Sequence, residues 1–186
     1  MIYSWKKILR VSIPILTFTI FIEILAGQIL QNNIEKLYIF PIFLISIPVI
    51  NGVGGNIGSI LGARLASGLH VGYIKYDIMD KNMNSNFATS ILIGVVSYSF
   101  LAILIYYIAY FGNIKMDNVQ FIGFISIIIL TGLLLVFLIS IISILTAFLS
   151  FKRGMDPDDV VAPVVTTMGD TLGIILLFFI IGVVGI

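Results

Sequence analysis

An acidic side chain lies within the last apolar stretch of this chain, PVVTTMGDTLGIILLFFIIGVVGI, which contains Asp170 and no basic residue. Inserting a carboxylate into hydrocarbon costs roughly 2.5–3.5 kcal/mol, so a chain that carries one there is expected to use it. The chemistry that suits an isolated intramembrane carboxylate is the binding of a cation that crosses the membrane. The alternative is a structural carboxylate that pairs with a helix end or a lysine.

Other oxygen ligands are predicted near Asp170. Thr166 lies four residues earlier on the same helix face, and Thr167 flanks it. A rise of about 1.5 Å per residue places both Asp170 and Asn56 roughly 10 Å from the inner membrane face, in one layer. Main-chain carbonyls near Gly55 would add oxygens if the helix breaks there. These hard oxygen ligands suit Mg²⁺, Ca²⁺ or Mn²⁺. The alternative role of Asn56 is hydrogen bonding between helices.

Glu23 is the second acid within an apolar segment. The same rise per residue places it roughly 22 Å from the inner face, about 10 Å from the depth of Asp170. The two acids are therefore expected to form an outer and an inner station of one path. A protonated, structural Glu23 is the alternative.

Composition indicates an integral membrane protein. Of 186 residues, 60% are hydrophobic and 10% are charged, whereas soluble domains average about 25% charged residues. The net charge of +1 gives no attraction for nucleic acid, so the expected partners are the lipid bilayer and a cation. The absence of cysteine excludes disulfides, thiolate metal sites and cysteine nucleophiles, and the single His70 excludes a multi-histidine site within one chain.

The predicted fold is all-α, with five transmembrane helices. Each candidate segment has the roughly 20 apolar residues that a crossing requires, and the first is expected to be a retained helix, not a cleaved signal peptide. The segments span residues 8–30, 38–67, 87–111, 119–149 and 160–185. Pro48, Asn51 and the glycines of residues 52–55 predict a second helix that is kinked or broken near its middle. Broken backbone at membrane depth would be buried in protein or would line a wet cavity.

Glycines at four-residue intervals predict close helix packing. Gly54, Gly58 and Gly62 recur in the second segment, and Gly169 and Gly173 recur in the fifth. Small residues at this spacing let helices approach, either within one subunit or across a dimer.

Basic residues predict the orientation of the chain. Eight lie on one side of the predicted segments: Lys6, Lys7, Arg10, Arg64, Lys75, Lys81, Lys152 and Arg153. Lys36 and Lys115 lie on the other side. The basic side is expected to be cytoplasmic, which places the N-terminus inside and the C-terminus outside. An odd number of helices without an internal repeat indicates a half-unit, which a homodimer would complete.

Two motifs carry a family resemblance. The run PVINGVGGNIG, residues 48–58, resembles the P-x-x-x-G-x-x-G-N-x-G signature of MgtE magnesium transporters and the related eukaryotic solute-carrier magnesium transporters. DPDDVVAPVVTTMGD, residues 156–170, resembles their last-helix signature, and Glu23 in EILAG is similar to the acid of their first helix. Departures are Ile60, where glutamine is frequent, and Asp159, which replaces asparagine.

This resemblance implies one transport domain over residues 1–186, working as a dimer with the pore at the subunit interface. It implies a hydrated Mg²⁺ site centred on Asp170, with Mg²⁺ as the transported ion and not a catalytic cofactor. Bacterial members carry a cytosolic magnesium-sensing region before the membrane domain. Because this chain begins almost directly with its first helix, a domain without that region is expected.

The expected function is transport of a divalent cation, first Mg²⁺, across the plasma membrane of a prokaryote, whose AT-rich genome is suggested by frequent Ile, Asn and Lys. One alternative is a non-catalytic membrane subunit or scaffold. Another is an intramembrane aspartyl protease built on Gly169 and Asp170, but that chemistry requires a second catalytic aspartate at matching depth. No enzymatic activity is therefore expected.

Overall fold

The computed structural model describes residues 5–75, 77, 80–114 and 121–184, and these residues are organised as helices. In chain order they form α1 (Trp5–Asn32), α2 (Ile34–Ile39), α3 (Ile42–Val71), α4 (Lys81–Phe111), α5 (Phe121–Lys152) and α6 (Pro157–Val184). All except the short α2 are long and apolar enough to cross a membrane, with α1 counted from Ile8. The prediction of an all-α membrane protein with five spanning segments is confirmed. Lys115 and the predicted segment ends at residues 119 and 185 lie outside the described residues.

Three helices form the centre of the bundle. α3, α5 and α6 each pack against the other two, and α4 packs against α3 and α5. Within the described chain, α1 packs against α6 and α2 and against no other helix. Most of its large apolar side chains are exposed, whereas Thr19 and Ala26 are buried. The outer surface of α1 is therefore available to lipid or to another protein.

The predicted break in the second spanning segment is wrong, because α3 is one continuous helix through Pro48 and residues 52–55. The interruption lies earlier, at Phe40 and Pro41, between α2 and α3. Glycine has a low intrinsic helix propensity, but tertiary packing routinely overrides propensity. Gly54, Gly55, Gly58 and Gly62 of α3 lie where α5 or α6 approaches closely, and that packing stabilises the helix.

Close packing at the α3 glycines is confirmed, and it occurs within one subunit. A methyl group added at Gly58 would collide with Ile139 of α5 and lie 2.5 Å from Cγ1 of Val165 on α6. One turn further, a methyl group at Gly62 would collide with Val161. The hydroxyl of Ser143 on α5 donates a hydrogen bond to the main-chain oxygen of Gly58 at 2.9 Å. The backbones of the three central helices thus approach closely, and side chains larger than glycine at positions 58 and 62 would prevent this approach.

The start of α4 is fixed by a side-chain cap. Oδ1 of Asp80 accepts hydrogen bonds from the main-chain N–H groups of Asn82 and Met83, each at 2.9 Å. The Met83 N–H is the largest cause that holds the pKa of the Asp80 carboxyl below its usual value. The pKa is lowered because the charged carboxylate accepts these hydrogen bonds better than the neutral acid does. The cap in turn satisfies helix N–H groups that would otherwise lack partners.

Gly58→Ala is expected to destabilise the bundle. The nearest obstructing groups belong to Ile139 and Val165, which are branched at Cβ and cannot rotate away easily. We expect a loss of about 1–3 kcal/mol in the free energy of unfolding, measured as a lower thermal unfolding temperature in detergent. Gly182→Ala on α6 is the control, because a methyl group there meets nothing within 4 Å. Equal unfolding temperatures for the two variants would contradict the packing described here.

Candidate functional site

Asp170 lies at the middle of α6, with α1 on one side and α3 on the other. Its carboxyl group is half-buried and interacts electrostatically with that of Glu23 on α1. Thr167 connects the same two helices, because its hydroxyl donates a hydrogen bond to Oε1 of Glu23 at 2.9 Å. The structure therefore brings Asp170, Glu23 and Thr167 together.

The predicted separation of the two acids in depth is wrong. It separated the two acids by about 10 Å, but the Glu23 carboxyl accepts a hydrogen bond from Thr167, which lies three residues before Asp170 on α6. Glu23 and Asp170 form one acidic pair in place of an outer and an inner station.

Asn51 on α3 contacts Asp170 from the opposite side. Its Nδ2 donates a hydrogen bond to the main-chain oxygen of Asp170 at 3.0 Å, and its amide also faces the Asp170 carboxylate. Asn51 is only 6% exposed, and its Oδ1 has no hydrogen-bond partner among the described residues. An unsatisfied buried acceptor costs about 1–3 kcal/mol, so this residue needs an explanation.

Sequence reasoning missed this role of Asn51 and treated the residue only as a helix breaker. The available signal was an amide side chain within an apolar segment, one helical turn before Gly55. Buried amides between membrane helices usually join two of them. The partner could not be identified from the sequence, because it is a main-chain atom of another helix.

Gly55 lets the backbones of α3 and α6 meet at the level of Asp170. A methyl group at Gly55 would lie 3.5 Å from Cα of Thr166, and one at Gly169 would lie 3.2 Å from Cα of Gly55. Because α3 is continuous, the carbonyl oxygens of this stretch take part in helical hydrogen bonding. The free carbonyls that a broken helix would have offered are therefore not provided.

Asn56 and Thr166 lie on an exposed face formed by α3 and α6. Both side chains are exposed, and the Thr166 hydroxyl donates a hydrogen bond to the main-chain oxygen of Ala162 at 2.9 Å. Asn56 lies at the middle of α3, next to Gly55, so this face is at the depth of Asp170. Lipid supplies no hydrogen-bond partners there, so polar groups on such a face require water or protein against them.

The donor set fits a hydrated divalent cation better than a fully protein-coordinated one. Among the described residues, no three histidine, aspartate or glutamate side chains gather at a place that could hold a metal ion. In the same part of the chain, the Asp170 carboxylate interacts with Glu23 and Asn51, and no ion pair joins it to a lysine or arginine. The alternative of a lysine-paired structural carboxylate is thus not supported. Mg²⁺ retains several waters and is commonly bound through one or two carboxylates, which is what one chain offers.

A separate groove lies at the end of α3 that connects to α4. Its volume is about 620 Å³, and its polar lining includes Arg64, Tyr73 and Asn86. None of the six predicted site residues lines it. We therefore place the candidate site at Asp170, where the acidic groups meet, and not in this groove.

Thr167→Val is expected to weaken the attachment of α1. The change removes the hydroxyl that binds Glu23, and the loss of one hydrogen bond lowers the free energy of unfolding by about 0.5–1.5 kcal/mol. The measurement is thermal unfolding of the purified protein. Thr171→Val is the matched control, because that hydroxyl donates to Thr167 of its own helix at 3.0 Å. A larger effect from Thr171→Val would contradict the importance of the bond between helices.

Comparisons with known proteins show which family this chain is similar to. A family model described as a divalent cation transporter, MgtE, matches residues 47–180. Solute carrier family 41 member 2 of Gallus gallus is 25% identical over 178 residues, which cover 88% of this chain and 30% of that protein. The Xenopus laevis protein of the same name is 25% identical over 189 residues, which cover 92% of this chain and 33% of the relative. This chain therefore spans about a third of the length of these relatives.

No solved structure matches this chain. The region matched by the family model contains Asn51, Asn56 and Asp170 but begins after α1, so it does not include Glu23. The similarity thus concerns the α3 and α6 parts of the site most directly.

Proposed function

This chain belongs to the MgtE family of divalent cation transporters, and we propose that it moves a divalent cation, Mg²⁺ first among them, across a membrane. The observation that supports this most is Asp170 itself, a carboxylate at the middle of a spanning helix. The side chains that interact with this carboxylate are the acid Glu23 and the amide Asn51. Intramembrane acids without a basic partner mark ion pathways. The family is one of transporters and not of enzymes, so no catalytic role is assigned.

Asp170 is the principal cation ligand in this proposal, and Glu23 is the second acid. Two carboxylates placed close together in a low-dielectric region repel each other, and a doubly charged cation would neutralise that repulsion. The oxygens of Thr166, Thr167 and Asn56 would contact waters that the ion retains. Gly55 contributes by allowing α3 to lie against Thr166, which brings Asn56 to the same level.

A second copy of the chain completes the site in this proposal. Asn56 and Thr166 are exposed and Asp170 is only partly buried in a single chain, at a depth where lipid cannot satisfy them. Pairing two copies through this face would set the two Asp170 side chains on either side of a water-filled path. The path would lie in the plasma membrane of a prokaryotic cell, with the more basic end of the bundle, which includes the N-terminus, in the cytoplasm.

Asp170→Asn is expected to abolish cation transport while leaving the protein folded, because asparagine keeps the shape of the side chain but lacks the charge. The measurement is Mg²⁺ influx into proteoliposomes that contain the purified chain alone, with Ca²⁺, Mn²⁺ and Co²⁺ as competitors. Asp158→Asn is the charge-matched control, since Asp158 lies in the first turn of the same helix, and its flux should stay close to wild type.

Wild-type flux by Asp170→Asn would refute the proposed role of Asp170. An absence of flux through the purified wild-type chain would favour the scaffold hypothesis, because a scaffold moves no ions.

Ala162→Cys is expected to cross-link two copies of the chain. Ala162 is exposed one turn before Thr166 on the proposed interface, and the natural chain has no cysteine to complicate the result. A short bifunctional thiol reagent applied to membranes should give a covalent dimer on a denaturing gel. Val96→Cys is the control, because Val96 is 64% exposed on α4, which contacts neither α1 nor α6. Cross-linking through Val96→Cys but not through Ala162→Cys would place the interface elsewhere.

A further inference from the structure

Asn51 and Gly173 interlock α3 with α6 beside Asp170. Nδ2 of Asn51 donates a hydrogen bond to the main-chain oxygen of Asp170, while Oδ1 of Asn51 points toward Gly173. A methyl group at Gly173 would collide with Oδ1 and would lie 2.9 Å from Cγ of Asn51. The space that the Asn51 amide occupies therefore exists only because residue 173 has no side chain.

The interlock adds a directional contact at the level of Asp170 to the packing of Val165 and Val161 of α6 against Gly58 and Gly62 of α3. Gly55 and Gly169 bring the two backbones together, but a contact between two glycines has no side chains to interdigitate and resists sliding only weakly. The hydrogen bond from Asn51 is directional. A slide of α6 by one residue would move Asp170 by about 1.5 Å along the helix axis and would break it.

The chemistry of Asn51 favours a positioning role over simple packing. An apolar residue would fill this buried place without leaving an unpaired oxygen, and Oδ1 of Asn51 is unpaired among the described residues. Asn51 is also not placed as a cation ligand, since Nδ2 is a donor and Oδ1 is turned toward Gly173. The role left for Asn51 is to position Asp170, through its hydrogen bond to the main-chain oxygen of that residue.

We propose that Asn51, in the space left by Gly173, is the positioning residue that sets the height of the Asp170 carboxylate in the cation path. This inference rests on the proposed function, since it requires Asp170 to bind the transported ion. It makes transport affinity depend on Asn51 and Gly173, which position Asp170 without binding the ion themselves.

The test is a double-mutant cycle with Asn51→Ala, Gly173→Ala and the double variant. Each reconstituted protein is assayed for Mg²⁺ influx over a range of Mg²⁺ concentrations. Each single change should raise the half-saturating concentration by about fivefold, the factor that corresponds to one lost hydrogen bond, with a smaller effect on the maximal rate. The double variant should match Asn51→Ala alone, because without the amide the new methyl group has room. Its next neighbour is then Cδ2 of Leu135 at 3.4 Å, an ordinary contact.

Gly182→Ala controls for the general effect of alanine in α6, because it meets no atom within 4 Å. Asn51→Ser, whose side chain is too short to reach Asp170, replaces Asn51→Ala if the latter does not reconstitute, and the same rise is expected. An unchanged half-saturating concentration in the Asn51 variant, or effects that multiply in the double variant, would overturn the inference. If Asp170→Asn abolishes flux while Asn51→Ala leaves the half-saturating concentration unchanged, the proposed function stands and only this inference fails. Normal flux by Asp170→Asn overturns both.

Discussion

A carboxylate at the middle of a spanning helix has no lipid partner that can satisfy its charge, and the surrounding structure is arranged around this constraint. Asp170 lies on α6 between two helices that supply polar groups, Glu23 from α1 and Asn51 from α3. Two further polar side chains at this level, those of Asn56 and Thr166, are exposed and lie on one face. Elsewhere the spanning helices present mainly large apolar side chains to the outside.

The central helices hold this arrangement through close backbone approach and hydrogen bonds in addition to a shared apolar core. Between helices in lipid, association depends on van der Waals packing and hydrogen bonds, since lipid tails are as apolar as the side chains. Gly58 and Gly62 of α3 provide the proximity. Hydroxyl groups from neighbouring helices provide the bonds: Tyr98 donates to the main-chain oxygen of Ile50 at 2.7 Å, and Ser143 donates to that of Gly58. Glycine in α3 is therefore a packing requirement even though it lowers local helix propensity.

Features that depend on composition and local spacing could be predicted from the sequence. The five spanning segments follow from the length of the apolar stretches. The choice of Asp170 as a candidate site residue follows from its isolated charge, and the close packing at Gly58 follows from the spacing of small residues. Features that depend on how the helices pack against one another could not be predicted from the sequence. The continuity of α3 depends on contacts with α5 and α6, and the meeting of Glu23 with Thr167 depends on how α1 lies against α6. The partner of Asn51 depends on helix rotation, which no pattern within one segment determines.

The attachment of α1 has a consequence for how the acidic pair responds to movement. α1 touches α6 and α2 and no other helix in the described chain, and its one side-chain hydrogen bond to another spanning helix there joins Glu23 to Thr167. Displacement of α1 would therefore disrupt less packing than displacement of any central helix. Such a displacement would move the Glu23 carboxyl away from Asp170 and would leave the contacts between α3 and α6 in place. In the proposed transport function, a peripheral helix can thus change the acidic groups around the ion without rearranging the centre of the bundle.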